Sequence, residues 1–594
     1  MPIRITHCQC FSEMLYERKI HLQFLEDELR AETEVFKEKF EAEAMFLLKE
    51  KEEMFVGQFL EFRDGEMVML FPNTRLLPRK GEYLYCMLLP ERLRDYHNWG
   101  RSTYRDLFNE RYKGTECVCI WQSPAEDERF SLVGFRKVDL DFEDFLTKNN
   151  GHGAILTFAP QRPPIEYVAN LQRLTEDSIS QGAADIFDTE YAATDWRPTL
   201  ISQSNVSGFV LNQMSFTDTM ILQGPPGTGK TYMIAEVCQE LCRQGKSVMV
   251  TALTNRALME IAGKPALDDL LSEGKVMKTN MTVDEKKENG RITPIKQIMP
   301  VSGAVVLSTY FITSGFAADL SSETPFDYVI MDEASQALLA MFAAAKKMGK
   351  RNLWVGDVRQ LSPIVALNED RVARSGYQGL INGLSTLTES GSHPIYQLTS
   401  SFRFNNRAAA YTGIFYNDTL VSKKQDSPAQ LADISQLTHP EGGPSLILTD
   451  MIPGDYTPES GTFIASQIVK SIYDNHPKTE VAVLTCMIKT SKALQKAMTL
   501  TVGPKSHLIV ETIAKVQGLT TDVTVVLIPN VAYIYTLDPN LFNVATSRAR
   551  SHTIIIADKE ILNYKSMDDN VRRYIETLAG EKVAHVNSMQ LLGL

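Results

Sequence analysis

The segment Gly224–Thr231 (GPPGTGKT) directly follows the apolar residues Met220–Leu222 and Gln223. This order predicts a strand, a glycine-rich loop and a helix that begins near Lys230, and such a unit surrounds phosphate with backbone N–H groups and a helix N-terminus. We expect Lys230 to reach the β- and γ-phosphates of ATP and the Thr231 hydroxyl to ligate Mg²⁺. The other members of the expected phosphate site are Gly224, Pro225, Pro226, Gly227, Thr228 and Gly229.

Short apolar segments alternate with helical segments from about residue 200 onward. This is the βαβ pattern of a parallel sheet, so the sequence predicts an α/β fold. The apolar segments are Met220–Leu222, Ser247–Ala252, Val305–Leu307, Tyr328–Met331 and Leu353–Val355 in a first series, and Ser445–Leu448, Val481–Thr485, Leu508–Val510, Val523–Ile528 and Thr553–Ala557 in a second. We predict two tandem domains over 199–395 and 396–594, with the P-loop in the first.

Residues 13–53 are rich in Glu and Lys and contain neither Gly nor Pro. Apolar residues recur there at three- and four-residue steps, which predicts a helix of about 40 residues. A dimeric coiled coil would show the same pattern, but Thr33 and the aromatic positions make a poor zipper seam. We therefore predict a helical stalk over 1–54 that packs on its own protein and could also bind a protein partner.

The next segment alternates apolar and polar residues over Phe55–Leu89, around turn signals such as Asp64-Gly65. Together with Cys117–Trp121 and Phe130–Phe135, this alternation predicts a small antiparallel sheet or barrel. We place this accessory domain over 55–165 and expect 166–198 to be a polar linker.

The bulk properties describe an ordinary globular protein: 44% hydrophobic and 23% charged residues, with a net charge of 61 − 73 = −12. Met1–Cys10 lacks the basic start and apolar run of a signal peptide, and Val523–Tyr535 is too short to span a bilayer. We expect a cytoplasmic protein without a membrane partner. Eight scattered cysteines fit a reducing compartment. The pairs Cys8/Cys10 and Cys117/Cys119 could supply four thiolates to a metal, but small buried hydrophobes are the better interpretation.

An acid pair, Asp332-Glu333, follows the apolar segment Tyr328–Met331. At the end of a strand downstream of a P-loop, Asp332 suits a Mg²⁺ partner and Glu333 suits the group that orients or deprotonates the attacking water. The P-loop itself is equally typical of AAA+ proteins, so the elements that follow must decide the class.

Leu353–Asp357 leads into Gln360-Leu361-Ser362-Pro363, a G-D-x-x-Q-L-x-P element. This element resembles the γ-phosphate-sensing motif of superfamily 1 helicases, which have two RecA-like domains and couple nucleotide state to domain closure. The resemblance implies that Gln360 performs that coupling in this chain.

The second domain continues the resemblance. Leu398–Phe404 (LTSSFRF) is similar to the family's L-x-x-x-Y-R element with Phe402 in the Tyr position, and Asn543–Arg550 (NVATSRAR) is close to N-V-A-x-T/S-R-A-R. Val510–Asp522 is similar to V-x-T…Q-G, which implies a nucleotide contact for Gly518. Arg403 and Arg548 are then implied to contact the γ-phosphate, where developing charge needs cationic donors.

Contacts to nucleic acid are implied by the same family motifs. Thr254 and Asn255 in TALTNRALME match the T-N-x-A motif that holds strand phosphates, and Thr309, Thr485 and Thr512 also follow strands. Hydroxyl and amide donors at strand ends grip phosphates without reading bases, so single-stranded DNA and RNA are both open. Ordinary helix capping is the competing interpretation of each residue.

The resemblance extends over about 200–560 and favours the superfamily 1B branch that contains the nonsense-mediated-decay helicase, which implies 5′→3′ movement along one strand. Thr520 departs from the family's Q-G-x-E-x-D, and Thr485-Cys486-Met487 departs from T-P-Y. Gln203, Asn205 and Gln213 are all candidates for the residue that reads adenine. Two alternatives stay open: a nucleotide-gated binding switch that does not unwind, and an AAA+ protein remodeller.

Overall fold

The computed structural model of the protein describes most of residues 14–585. Cys8, Cys10 and Gln517 lie outside the described residues. The positions within that range that are left out are 38–41, 52, 73–76, 79–82, 109–113, 149–150, 161–164, 178–183, 188–189, 192–196, 322, 425–430, 432–433, 504, 506, 517 and 582.

The charged N-terminal segment forms a shorter helix than its periodicity predicts. After the two-residue strand β1 (Met14–Leu15), helix α1 spans Arg18–Phe36, and helix α2 (Met45–Glu50) follows separately. Residues 42–44 are not helical, so the prediction of one continuous helix over 13–53 is wrong. The physical reason is tertiary: Ala44 forms a bridge with Thr103, and Met45 and Leu48 of α2 are buried against the segment around that threonine.

Helix α1 packs along its own chain, as a stalk should. Phe24 and Leu25 are buried in the core of the first α/β domain. The carboxylate of Glu28 accepts hydrogen bonds from the backbone N–H groups of Ala366 (2.6 Å) and Leu367 (3.0 Å). The stalk is therefore attached to the segment that follows Gln360-Leu361-Ser362-Pro363.

The accessory domain is a closed antiparallel barrel with strand order β2-β3-β6-β5-β4-β7, which confirms the expected barrel. Its elements are β2 (Phe55–Arg63), β3 (Glu66–Pro72), β4 (Tyr83–Leu88), α3 (Tyr104–Phe108), β5 (Gly114–Pro124), β6 (Phe130–Arg136), α4 (Leu140–Lys148) and β7 (Ile155–Pro160). Cys117 and Cys119 lie in the buried interior of β5. Among the described residues, no group of three or more His, Cys, Asp or Glu side chains is placed to hold a metal.

The segment after the barrel is more than a linker. Helix α5 (Ile165–Glu176) buries Tyr167, Val168, Leu171 and Leu174, which recur at helical spacing, in the same core as α1. The prediction of a polar connection is wrong for these residues, because the apolar face of α5 packs on the first α/β domain. Helix α6 (Ala184–Phe187) and strand β8 (Glu190–Tyr191) follow, and β8 pairs with β1.

The first α/β domain is built on nine strands, and each pairing between neighbours is parallel. Its elements are β9 (Thr199–Ile201), α7 (Val206–Phe216), β10 (Thr219–Gln223), α8 (Lys230–Arg243), β11 (Val248–Ala252), α9 (Asn255–Ala262), α10 (Asp268–Ser272), β12 (Val276–Thr279), α11 (Val283–Glu288), β13 (Thr293–Ile295), β14 (Val305–Thr309), α12 (Tyr310–Asp319), β15 (Phe326–Met331), α13 (Leu339–Met348), β16 (Gly349–Gly356), α14 (Glu369–Ser375), α15 (Gln378–Ile381), α16 (Gly383–Glu389) and β17 (Ile395–Leu398). The strand order is β13-β12-β14-β11-β15-β16-β10-β17-β9.

The second α/β domain has a six-stranded parallel sheet with strand order β22-β21-β23-β24-β20-β25. Its elements are β18 (Ser400–Ser401), α17 (Asn406–Gly413), β19 (Val421–Ser422), β20 (Gly443–Thr449), α18 (Glu459–Asn475), β21 (Val481–Thr485), α19 (Ile488–Thr501), β22 (Leu508–Thr512), β23 (Thr521–Ile528), α20 (Tyr533–Thr536), α21 (Pro539–Thr546), β24 (Ala549–Asp558), α22 (Asp569–Gly580) and β25 (Val583–His585).

The two parallel sheets confirm the predicted fold class of tandem RecA-like domains. Strand β17 pairs with β10 and β9, so the first domain ends after Leu398, three residues past the predicted boundary at 395. Within the described part of the chain, no helix is long and apolar enough to cross a membrane.

Candidate nucleotide site between the two parallel sheets

The glycine-rich loop leaves the sheet at β10, a fully buried strand between β16 and β17. Gly227 (φ 74°) and Gly229 (φ 82°) have left-handed backbone conformations, which residues other than glycine rarely adopt. A Cβ at Gly227 would also lie 2.5 Å from Arg403 Cβ. The loop therefore needs glycine both for its own turn and for the close approach of the second domain.

Lys230 is the first residue of α8, at the point where the loop becomes a helix. Its ammonium donates to the carbonyl oxygen of Gly224 within the loop. Burial lowers the pKa of Lys230, while Asp357 and Asp332 act in the opposite direction. Thr228 closes the loop from inside, since its hydroxyl donates to the carbonyl of Pro225 (2.8 Å).

The acid pair follows β15 in the same sheet. Asp332 is 5% exposed, and its Oδ1 accepts a hydrogen bond from the backbone N–H of Glu333 (2.9 Å). Burial raises the pKa of Asp332 to about 6. The Tyr310 hydroxyl supports this turn by donating to the carbonyl of Asp332 (2.6 Å).

Glu333 has an unusual backbone, with φ 53° in the left-handed region that favours glycine. Burial, and next the charge of Asp332, raise the pKa of Glu333 to about 7. Its Oε2 is buried and accepts no hydrogen bond from the described residues. A strained backbone conformation and a buried carboxylate oxygen that accepts no hydrogen bond are both typical of a functional residue.

The donor set near the loop suits Mg²⁺ bound together with nucleotide phosphates. Asp332 accepts the hydrogen bond of Glu333 through Oδ1, and Thr231 adds a hydroxyl one residue after Lys230. Mg²⁺ in phosphate sites is commonly held by one or two protein oxygens, with the phosphates and water completing its coordination. Thr231 and Asp332 are therefore the residues that would hold the ion.

Asp357, at the end of β16, is the centre of a buried hydrogen-bond network. Its carboxylate accepts from Gln223 Nε2 (2.8 Å), Gln360 Nε2 (2.7 Å) and the hydroxyl of Tyr416 (2.7 Å). Asn543 Nδ2 donates in turn to the Tyr416 hydroxyl (2.8 Å). Because Tyr416 and Asn543 belong to the second domain, the network connects the two sheets.

Asn543 makes a second contact to the first domain, since its Nδ2 also donates to the carbonyl of Arg359 (2.7 Å). Asp357 and Asn543 lie inside sequence motifs that gave them no role, and Tyr416 lies outside those motifs. Their polarity within otherwise buried segments was the signal that could have found them, because buried polar groups need partners.

Arg403 lies against the P-loop, where the backbone N–H of Phe402 donates to the carbonyl of Gly227 (2.8 Å). Its guanidinium donates to the carbonyl of Ser547 (2.8 Å) in the second domain. Burial, and next the charge of Arg548, lower the pKa of Arg403 to about 9. The Arg403 guanidinium is thus held beside the P-loop, where a bound anion would stabilise its buried positive charge.

Arg548 is 2% exposed, which is rare for an arginine. Its Nε donates to the carbonyl of Val544 (2.8 Å), and burial lowers its pKa to about 10. Gly518 approaches from the same domain: a Cβ there would lie 3.6 Å from Glu333 Oε1. The structure therefore brings Lys230, Glu333, Gly518 and both arginines together at one cleft between the sheets.

The residues expected at nucleic acid lie at strand ends beyond the P-loop. Thr254 caps α9 by accepting from the N–H of Ala257 (3.2 Å), and Thr309 is the residue before α12. Asn255 is half-buried, and Asn255 and Thr309 line the same cleft as the P-loop. That cleft has a volume of about 2810 Å³ and continues to the barrel.

The two candidates in the second domain are buried, as is Thr309, which is 9% exposed. Thr485 and Thr512 lie opposite each other at the ends of β21 and β22, but Thr485 is 0% exposed and Thr512 is 8% exposed. Among the predicted contacts to nucleic acid, the T-N-x-A segment of the first domain is therefore the most accessible in this conformation.

The candidate adenine readers are also separated by the structure. The side-chain Oε1 of Gln213 accepts from the Tyr396 hydroxyl (2.8 Å), whereas Asn205 Oδ1 caps α7 by accepting from the backbone N–H of Gly208 (2.8 Å). Gln203 is exposed. Only Asn205 of these three lines the large cleft.

Comparison with known proteins finds a match to an AAA domain family over residues 210–366. The DNA replication ATP-dependent helicase/nuclease DNA2 of Saccharomyces cerevisiae is 30% identical over 195 residues, which are 32% of this chain and 12% of that protein. The DNA-binding protein SMUBP-2 of Mus musculus is 23% identical over 297 residues, which are 41% of this chain and 29% of that protein.

Among solved structures, an Arterivirus nonstructural protein 10 helicase is 13% identical, with a TM-score of 0.36 over 85% of this chain and 76% of that one. The chain spans less than a third of the curated relatives it matches. The family and sequence matches support the broad assignment to superfamily 1 helicases that the motifs indicate.

Proposed function

We propose that this chain, with the core of a superfamily 1 helicase, is an ATP-driven motor that moves along single-stranded nucleic acid. In this proposal it binds Mg·ATP between the two parallel sheets and couples hydrolysis to their closure. The observation that carries the proposal is the convergence of Lys230, Arg403 and Arg548 on one cleft from two domains.

These three cations are costly to bring together without an anion. Burial lowers the pKa of each, and the positive charge of Arg548 lowers that of Arg403 further. A bound triphosphate would remove this cost, and charge that develops on the γ-phosphate during cleavage would be stabilised most. Because the arginines come from the second domain, hydrolysis would depend on domain closure.

Glu333 is the proposed general base. Burial raises the pKa of its carboxylate to about 7, and a general base is most effective when its pKa lies near the operating pH. A bound Mg²⁺, held by Thr231 and Asp332, would supply charge neutralisation for the phosphates. Gly518, which faces Glu333, leaves space beside this carboxylate.

Gln360 is the proposed link between nucleotide state and domain closure. Its amide donates to Asp357, and Asp357 also accepts from Tyr416 of the second domain. A γ-phosphate that attracts the Gln360 amide would weaken its bond to Asp357 and change the contact with Tyr416. Through the same network, binding of a nucleic-acid strand would change the contacts that Gln360 makes to the nucleotide.

The proposed strand path is supported by the charge of helix α19. This helix carries Lys489, Lys492 and Lys496, all exposed, and no acidic residue, although the whole chain has a net charge of −12. A local basic face of this kind attracts phosphate without base specificity. We propose that the strand runs from Asn255 and Thr309 in the first domain to α19 in the second.

We also propose the branch, the direction of movement and the cellular location of this protein. Membership of the 1B branch, with 5′→3′ movement, rests on the stalk and barrel before the P-loop and on the order of motifs. A cytoplasmic location rests on composition alone. DNA and RNA are both candidate strands, because every proposed contact is to phosphate.

A nucleotide-gated switch is the second candidate function, because Thr520 replaces the acid of the family's Q-G-x-E-x-D element. A switch of this kind would hydrolyse ATP when it binds a strand but would not displace a second strand. An AAA+ remodeller is disfavoured, because the second sheet with Arg403 and Arg548 completes the site within one chain.

The test measures ATP hydrolysis by the full chain with no polymer, with single-stranded DNA and with single-stranded RNA, next to displacement of a labelled second strand. A motor shows stimulation by at least one polymer together with displacement, whereas a switch shows stimulation alone. Hydrolysis that is unchanged in Lys230→Ala would remove the basis of the proposal. Lys246→Ala, an exposed lysine just beyond α8, is the matched control.

A further inference from the structure

Lys278, on strand β12, is a lysine with no exposed surface. Its ammonium donates to Asn255 Oδ1 (2.8 Å) and to Glu285 Oε2 (3.0 Å). The backbone carbonyls of Thr279 (3.3 Å) and Asn280 (3.5 Å) complete its surroundings. Buried charge is expensive and contributes little net stability even when paired. The lysine therefore calls for an explanation other than packing.

The contact with Asn255 determines which way its amide faces. An ammonium can only donate, so the atom of Asn255 that meets Lys278 must be the carbonyl oxygen. The amide NH₂ then faces away from Lys278, and Asn255 is half-buried and lines the cleft that holds the P-loop. Asn255 is thus presented as a donor, which is the form that a phosphate oxygen accepts.

The other partner of Lys278 lies at the junction with the barrel. Glu285 forms a capping box with Thr282 at the start of α11, since its carboxylate accepts from the backbone N–H of Thr282 (2.9 Å). The next residue along α11 from Thr282, Val283, donates its backbone N–H to the carbonyl of Val138 just after β6 of the barrel (2.8 Å).

Two further hydrogen bonds attach the barrel to the same turn. The backbone N–H of Lys137 donates to Asp284 Oδ1 (2.9 Å), and that of Leu140 donates to the carbonyl of Met281 (3.1 Å). The capping residues of α11 therefore touch the barrel on one side and Lys278 on the other. The hydrogen-bonded path from the docked barrel to Asn255 therefore runs through the capping turn of α11, then Glu285, then Lys278.

We propose that Lys278 is a positioning residue that holds the Asn255 amide as a phosphate donor, and that Glu285 makes this setting depend on the docking of the barrel. The inference rests on the proposed function, because it takes Asn255 to contact a strand. It adds that strand affinity is controlled by two buried residues that do not touch the strand, and that the barrel acts on strand binding through them.

The test measures binding of a fluorescent single-stranded oligonucleotide to the full chain by anisotropy. Lys278→Met alone would leave Glu285 buried without its partner, so the variant used is Lys278→Met with Glu285→Gln, in which the glutamine can still accept from Thr282. We expect its Kd to rise about tenfold, the effect of losing one hydrogen bond to a charged group. Thermal unfolding of each variant verifies that it is folded.

A double-mutant cycle separates positioning from a structural role. In an Asn255→Ala background, the Lys278→Met/Glu285→Gln change is expected to leave Kd unaltered, because it acts only through Asn255. The slope of log Kd against log salt is expected to stay the same in all four proteins, since none of these residues is a cation in contact with phosphate. A loss of binding that is equal in both backgrounds would overturn the inference.

Asn255→Asp and Asp284→Ala extend the test. The aspartate still accepts from Lys278 but cannot donate to phosphate, so Kd is expected to rise at least tenfold without loss of thermal stability. Asp284→Ala removes an acceptor for the barrel and is expected to weaken binding only when Asn255 is present. A wild-type chain that binds the strand while the cycle is additive overturns this inference alone, whereas a wild-type chain that binds no strand overturns the proposed function with it.

Discussion

The hydroxyl of Tyr416 in the second α/β domain donates to Asp357 Oδ2 in the first over a distance of 2.7 Å. The same oxygen accepts a hydrogen bond from Gln360 Nε2, also over 2.7 Å. A residue expected to sense the γ-phosphate and a residue of the opposite domain therefore share one acceptor atom. Asp357 thus links the expected nucleotide sensor to the opposite domain, so that nucleotide binding and domain closure can affect each other.

Tyr416→Phe removes this interdomain donor while keeping the ring. We expect a fall of about tenfold in the strand-stimulated kcat for ATP, the consequence of losing one hydrogen bond to a charged acceptor. Steady-state hydrolysis measures it. Tyr473→Phe is the matched control, because this buried hydroxyl has no hydrogen-bond partner among the described residues. Equal rates in the two variants would contradict the role given to Tyr416.

Glu333→Gln keeps the size of the side chain and removes its basicity. Hydrolysis is expected to fall by at least about 100-fold, the usual contribution of a general base, while the nucleotide still binds. Single-turnover hydrolysis and nucleotide binding, measured side by side, separate the two effects. The exposed residue Glu323 provides the control substitution Glu323→Gln. A rate close to that of the unaltered protein would show that Glu333 is not the base.

The raised pKa of Glu333, about 7, predicts a pH dependence of hydrolysis. A general base works only when it is deprotonated, so kcat is expected to rise with pH between about 6 and 8 and to fall as pH drops through the pKa. A pH–rate profile at saturating ATP and strand measures this. In Glu333→Gln the residual rate should lose that limb, and a limb that persists would assign it to another group.

ATP binding at Lys230 predicts a shift in thermal stability. A ligand that binds only the folded state at 100 times its Kd stabilises it by about 2.7 kcal/mol. Mg·ATP is therefore expected to raise Tm of the unaltered chain and of Lys246→Ala, but not of Lys230→Ala. Differential scanning fluorimetry with and without Mg·ATP measures the shift. An equal shift in Lys230→Ala would place the nucleotide elsewhere.

The basic face of helix α19 predicts how strand binding responds to salt. Each lysine that contacts a phosphate contributes about one unit to the slope of log Kd against log salt. Lys492→Gln and Lys496→Gln are therefore each expected to reduce the slope by about one, whereas Lys565→Gln, on an exposed loop before α22, should leave it unchanged. A slope that no α19 substitution alters would place the strand away from this helix.

The phosphate loop and the two parallel sheets were predictable because their signals are local. Gly227 and Gly229 occupy left-handed backbone positions that few other residues tolerate. The fully buried strands β10 and β21 contain the apolar runs Met220–Leu222 and Val481–Leu484, as burial on both faces requires. Both features act within a few residues, so they can be recognised before any tertiary contact is known.

The length of the stalk helix could not be predicted in the same way. The apolar spacing of the N-terminal segment continues beyond Phe36, where α1 ends. The break depends on Ala44 pairing with Thr103, a residue far away in the sequence. Likewise, the apolar positions of α5 are visible in the sequence, but only the adjacent stalk and first domain make a buried helix of it.

By itself, the sequence determined a phosphate-binding loop, an acid pair and tandem α/β domains, because these signals act within a few residues, and its resemblance to helicase motifs implied the two cleft arginines. Only the tertiary structure decided which of these side chains share an atom or a cavity. The bond between Tyr416 and Asp357 and the burial of Lys278 between Asn255 and Glu285 join residues from separate elements. Such pairings depend on how sheets and barrel dock, which no local pattern in the chain records.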